Sequence, residues 1–74
     1  MNDSYSHVLR VKFTHSLDVL VIYTSKYMSW EDARRAITEN KIEGIDAFDH
    51  FGHWMIDVEK VEWISFTENG RIKK

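Results

Sequence analysis

Residues 29–40 read Ser-Trp-Glu-Asp-Ala-Arg-Arg-Ala-Ile-Thr-Glu-Asn, and this stretch predicts the one clear helix of the chain. Ser29 is a typical N-cap, and Asp32 follows three residues later, as in a capping box with an aspartate in place of the usual glutamate. Apolar side chains recur along one stripe of this helix, at Trp30, Ala33, Ala36 and Ile37. We therefore expect an amphipathic helix that packs on a sheet.

Strand-like segments flank the helix on both sides. Residues 7–14 alternate between apolar and polar side chains, and residues 19–24 form a β-branched run. Three more segments follow the helix, at residues 43–47, 54–57 and 61–67. This order predicts an α+β fold of the type ββαβββ, with a mostly antiparallel sheet of four or five strands and the helix on one face.

Residues 49–52 predict a hairpin turn between the third and fourth strands. They read Asp-His-Phe-Gly, and aspartate in the first position with glycine in the fourth is typical of a type I turn followed by a glycine bulge.

The length and composition of the chain restrict its class. Seventy-four residues are enough for one small domain, residues 1–74, and we expect frayed ends at residues 1–6 and 69–74. The absence of cysteine excludes disulfides, thiolate metal sites and thiol catalysis. The longest apolar run has five residues, and the polar start does not resemble a signal peptide, so we expect a soluble, cytoplasmic protein.

A cluster of carboxylates and imidazoles is the weak candidate for a metal site: Asp46, Asp49, His50 and His53. A solvated hairpin tip explains the same residues, because aspartate side chains stabilise turns by hydrogen bonds to the backbone of the turn. We therefore predict no metal and no cofactor. The sequence contains no nucleophile elbow, Ser/His/Asp arrangement or glycine-rich phosphate loop, which favours a protein without enzymatic activity.

Four cations support an alternative function as a nucleic-acid-binding regulator: Arg10, Lys12, Arg34 and Arg35. They would contact phosphates while aromatic rings stack on bases. The net charge of −2 argues against this class, since nucleic-acid-binding domains are generally basic.

The ten aromatic residues point to a different function. A single helix covers one face of a sheet, yet large apolar side chains populate both predicted faces, and an uncovered apolar face usually meets a partner. The candidate contact residues are Phe51, Trp54, Trp63, Phe66 and Tyr27.

We therefore predict a non-catalytic protein-binding module. In this hypothesis the chain forms a homo-oligomer, and a dimer is the form we expect. It acts as an accessory or inhibitor-type protein by occupying a macromolecular surface. A second alternative is a small-ligand sponge whose pocket forms between subunits.

Overall fold

The computed structural model describes residues 4–39 and 41–70, which form a five-stranded antiparallel sheet and one α-helix. The elements in chain order are β1 (His7–Phe13), β2 (Val19–Thr24), α1 (Trp30–Thr38), β3 (Ile42–Asp46), β4 (Phe51–Trp54) and β5 (Val61–Glu68). A short 3-10 turn, Val58–Lys60, precedes β5. The predicted ββαβββ order and the α+β class are confirmed.

The strands lie in the order β4-β3-β2-β1-β5, so β4 and β5 are the two edges of the sheet. Strand β1 pairs along almost its whole length with β2 on one side and β5 on the other. In contrast, β2 and β3, which α1 separates in the chain, share only two paired positions.

Helix α1 begins where the sequence predicts. The Ser29 hydroxyl accepts a hydrogen bond from the backbone N–H of Asp32 at 3.3 Å, which satisfies one of the otherwise unpaired N–H groups of the first turn. Ala33 and Ile37 are buried, as their spacing predicts, whereas Trp30 is 43% exposed. The first-turn tryptophan therefore lies at the border of the stripe.

The core lies between the sheet and α1. Leu9, Val11 and Ile22 are fully buried on the helix side of the sheet, in contact with the apolar stripe of α1. Ile56 belongs to the same cluster although it lies in no strand. It comes from residues 55–60, the connection between β4 and β5, which therefore crosses the helix side of the sheet. Each such side chain stabilises the fold by about 1.5–3 kcal/mol through burial.

The hairpin between β3 and β4 turns three residues earlier than predicted, and β4 therefore spans residues 51–54 instead of 54–57. The Asp46 carboxylate accepts hydrogen bonds from the backbone N–H groups of Phe48 and His50 at 2.9 and 2.8 Å, which fixes the turn there. Asp49 adopts φ 63°, the left-handed position usually taken by glycine in this three-residue loop. The backbone N–H of Asp49 donates to the Asp46 carbonyl at 3.1 Å, so Asp46 is the first residue of the turn.

A bulge in β5 changes the face of one side chain. Lys12 is opposite Trp63 while Phe13 is opposite Val61, so Glu62 is the extra residue. Simple alternation places Val61 on the same face as Trp63. The bulge instead turns Val61 towards the core, against which it packs.

The two ends of the described chain are hydrogen-bonded together. The buried Asn69 donates from Nδ2 to the carbonyl of Tyr5 at 3.0 Å and from its backbone N–H to the carbonyl of Ser6 at 2.9 Å. Residues 1–3 and 71–74 of the predicted frayed ends lie outside the described part.

Gly44 gives a direct test of the packing between β2 and β3. A Cβ at this position would lie 2.5 Å from the Ile22 Cγ2 atom and 2.6 Å from the carbonyl oxygen of Tyr23. Because backbone must move to relieve this overlap, we expect Gly44→Ala to lower the free energy of unfolding by about 2–3 kcal/mol in urea titrations.

The matched control is Gly52→Ala in the neighbouring strand. Gly52 is opposite Gly44 in the register, but a Cβ there meets no atom within 4 Å. Its free energy of unfolding should change by no more than about 0.5 kcal/mol. Equal losses in the two variants would contradict the proposed steric cause.

Candidate functional site

The candidate site is the sheet face opposite α1, which we call the open face. Both α1 and the connection at residues 55–60 lie on the helix side, and no helix or strand within residues 4–39 and 41–70 packs on the open face. The register aligns one residue from each strand in a row across this face: Thr67, Val8, Tyr23, Ile45 and Phe51. We call these five residues the cross-sheet row.

The inner members of the cross-sheet row shield one another. Val8 and Ile45 are buried although no element covers this face. Each has a direct cross-strand neighbour on both sides, within the roughly 5 Å at which such side chains touch. Phe51 ends the row on edge strand β4 and is 60% exposed. The inner residues of the cross-sheet row are therefore shielded by their neighbours, and Phe51 at the β4 end is exposed to solvent.

The rest of the open face combines apolar and cationic side chains. Trp63, Lys12 and Val19 are aligned in one row, and Trp63 is 40% exposed on edge strand β5. Between this row and the cross-sheet row, Arg10 lies in register between Val21 and Ser65. Arg10 and Lys12 lie on β1, next to edge strand β5, and both are only partly exposed.

The charged groups on and beside this face are unequally paired. Lys12 Nζ lies 3.4 Å from Glu62 Oε2. Glu43 Oε1 lies 3.8 Å from Lys26 Nζ and 3.1 Å from His53 Nε2. All of these pairs are partly solvent-exposed and contribute little stability.

Arg10 differs from these cations. Its single side-chain hydrogen bond within the described chain runs from Nη1 to the Thr67 hydroxyl, at 3.4 Å, and its guanidinium lies within 4.0 Å of no described carboxylate.

The structure separates the five predicted contact residues by face. Phe51 and Trp63 lie on the open face, on opposite edge strands. The other three, Tyr27, Trp54 and Phe66, pack on the helix side. The register explains this, because Phe66 is opposite the core residue Leu9 and Trp54 is opposite the core residue Ile42.

The three helix-side aromatic residues have partners inside the protein. The Tyr27 hydroxyl accepts from the Glu43 N–H at 3.1 Å, and Trp54 Nε1 donates to the Gly44 carbonyl at 3.2 Å. The ring of Phe66 stacks on His7, with centroids 5.0 Å apart. These contacts give the three residues a packing role, and the candidate surface is limited to Phe51 and Trp63.

The four cations of the nucleic-acid hypothesis do not form one surface. Arg10 and Lys12 lie on the open face, whereas Arg34 and Arg35 are exposed on α1, on the other side of the sheet. A single strand of nucleic acid lying on the open face would therefore contact only the first two.

The four candidate metal ligands also diverge. His50 Nδ1 lies 3.4 Å from Asp46 Oδ2 at the hairpin, while His53 contacts Glu43 on the open face. Asp49 occupies the left-handed turn position. Within residues 4–39 and 41–70, no group of three or more His, Cys, Asp or Glu side chains is arranged to hold a metal ion.

The hairpin tips carry exposed apolar residues that the sequence analysis missed. Leu17 is almost fully exposed, and Phe48 is 80% exposed beside a cleft of about 530 Å³ lined mainly by Phe13, Leu20 and Val19. The available signal was local: Leu17 lies between the predicted strands at residues 7–14 and 19–24, and Phe48 lies between the predicted strand at residues 43–47 and the predicted turn at residues 49–52. A large apolar residue in so short a connection is often exposed. No helix of the described part is long and apolar enough to cross a membrane.

Comparison with known proteins identifies no relative of this chain. The chain matches no family model, and no curated protein or solved structure is significantly similar to it.

The Asp46 carboxylate predicts a specific response to acid. The backbone N–H of His50 holds the pKa of Asp46 below its usual value of 3.8, with help from the N–H of Phe48 and against the effect of burial. A carboxyl group whose pKa is lower in the folded state than in the unfolded state stabilises the fold at pH values above its unfolded-state pKa. This stabilisation is lost as the pH falls through the folded-state pKa.

We therefore expect Asp46→Asn to be less stable than the native chain at pH 7, with a gap that narrows below about pH 4. Urea titrations between pH 7 and pH 2.5 measure this gap directly. A gap that stays constant over this range would exclude the carboxylate as its source.

Asp49 predicts a gain in stability. A non-glycine residue in the left-handed region carries a backbone cost of about 1–2 kcal/mol, and glycine does not pay it. Since glycine loses more chain entropy on folding, we expect Asp49→Gly to raise the free energy of unfolding by about 0.5–1 kcal/mol in the same assay. A loss of stability would mean that the Asp49 side chain stabilises the loop by more than its backbone strain.

Proposed function

We propose that this chain is a non-catalytic protein-binding module and that the open face is its contact surface. The observation that carries the proposal is the exposure of Phe51 and Trp63, 60% and 40%, on a face that no other described element covers. Aromatic side chains are enriched in protein interfaces and account for much of their binding energy.

The size of the molecule is compatible with this use. Its two larger extents are 36 and 25 Å, and their product bounds a footprint of about 900 Å². A standard protein interface buries roughly 800 Å² on each partner. The largest footprint that this molecule allows is therefore of the same order as the area that one partner buries in a standard interface.

A purely structural role explains Trp63 less well than it explains the cross-sheet row. Tyr23 lies beside Val8 and Ile45 and helps to shield them. The direct neighbour of Trp63 on β1 is Lys12, so its ring does not cover the apolar row. Because the ring remains 40% exposed, Trp63 has area available for a partner.

Nucleic acid is the second candidate partner. It is favoured by one observation, the position of Arg10 and Lys12 on the same face as Trp63, since cations beside aromatic rings suit single strands. The ion pair between Lys12 and Glu62 and the net charge of −2 weaken it. The balance favours a protein partner.

Site-specific photo-crosslinking tests the proposal. The photoreactive residue p-benzoyl-phenylalanine would replace Phe51 or Trp63, and matched control chains would carry it in place of Met55 or Trp30, which are 73% and 43% exposed on the helix side of the sheet. In cells that produce the chain, we expect discrete protein adducts at positions 51 and 63 and none at the control positions.

Each outcome has a defined meaning. An adduct of twice 8.8 kDa identifies a second copy of the chain, the homo-oligomer predicted from sequence, and supports protein binding. An adduct at positions 51 and 63 that nuclease treatment removes supports nucleic-acid binding and overturns the proposal. Equal labelling at all four positions, or no labelling at positions 51 and 63, also overturns it.

A further inference from the structure

Arg10 occupies the interior of the open face. It lies on β1, which is hydrogen-bonded on both sides, and its register neighbours are Val21 on β2 and Ser65 on β5. The residue is only partly exposed, as is typical of an arginine whose aliphatic stem packs along neighbouring side chains. Packing of the stem restricts the guanidinium to fewer positions than a side chain in free solution takes.

The guanidinium retains most of its binding capacity. It carries five N–H donors, and one long hydrogen bond to the Thr67 hydroxyl is its single contact of this kind within the described chain. Lys12 and Lys26, in contrast, each lie within 4.0 Å of a glutamate. Arg10 is therefore the cation of this face without a carboxylate partner among the described residues.

The chemistry of the group points to a carboxylate ligand. A guanidinium presents its donors as a planar fork that matches both oxygens of a carboxylate, and charge-assisted bonds of this kind are about twice as strong as neutral ones. The adjacent apolar groups, Val21 and, two positions further along the sheet, Trp63 and Val19, suit aliphatic side chains that flank such a carboxylate.

Two other occupants fit less well. A twofold contact centred on Arg10 would place its guanidinium and that of a second copy against each other, with Lys12 close by in both chains, and like charges oppose such a contact. A nucleic-acid strand requires several uncompensated cations, and on this face Arg10 alone lacks a described anionic partner.

We infer that Arg10 is the polar anchor of the open face and that its partner is an acidic protein surface in which carboxylates alternate with aliphatic side chains. This inference rests on the proposed function and adds the chemistry of the partner to it.

Nuclear magnetic resonance titration with defined probes tests the inference. The probes are a peptide in which glutamate alternates with leucine, a matched peptide in which lysine replaces glutamate, and the oligonucleotide dT10. We expect the acidic peptide to shift the Arg10 Nε–H and Trp63 Nε1–H resonances and to bind at least tenfold more tightly than the basic peptide.

The variant Arg10→Gln should weaken binding of the acidic peptide at least about tenfold, which corresponds to the loss of a charge-assisted hydrogen bond. Arg34→Gln removes the same charge from the exposed face of α1 and should weaken binding less than twofold. The dispersion of the amide spectrum confirms that both variants remain folded.

Three results would overturn the inference: equal effects of the two variants, equal affinities for the acidic and basic peptides, or tighter binding of dT10 that depends on Arg10. Photo-crosslinking separates this failure from failure of the proposed function. Protein adducts at positions 51 and 63 that form equally well in the Arg10→Gln chain would overturn the role of Arg10 alone. If the native chain forms no protein adducts at positions 51 and 63, both the role of Arg10 and the proposed function are overturned.

Discussion

The architecture depends on the connection between β4 and β5, which joins the two opposite edges of the sheet through only six residues, 55–60. The edges are four strand spacings apart, about 19 Å in a flat sheet. Seven peptide steps span at most about 25 Å. The connection must therefore cross a face almost directly, and buried Ile56 shows that it crosses on the helix side. The helix and the connection thus cover the same face.

The uncovered face follows from this arrangement. The opposite face retains only the shielding that its own side chains provide, which suffices for Val8 and Ile45 and leaves Phe51 and Trp63 exposed. The connection that completes the core on one side therefore also defines the surface available to a partner on the other.

Local signals in the sequence predicted the elements well but not their long-range arrangement. The alternation in β1 and the Ser29 cap depend on neighbours in the chain, and both are confirmed. The bulge at Glu62 depends on pairing with β1, which is distant in the chain. The turn at Asp46 is fixed by local hydrogen bonds, but Asp49 takes the left-handed position in which the sequence rule expects glycine, so Gly52 favoured the wrong turn register. The assignment of each aromatic residue to a face required the register. For this reason Trp54, next to a glycine carbonyl in the core, was indistinguishable in sequence from Trp63.

The open face exists only in the folded chain, because each residue of the cross-sheet row comes from a different strand. A chain of this length buries only about 60–65% of its extended surface, so its stability margin is small. Large rings left exposed, such as Phe51, give up part of the burial that would have increased this margin. A partner that binds the folded state alone restores it by mass action, by about 2.7 kcal/mol at a hundredfold excess over Kd. Binding at this face and stability of the fold are therefore thermodynamically coupled.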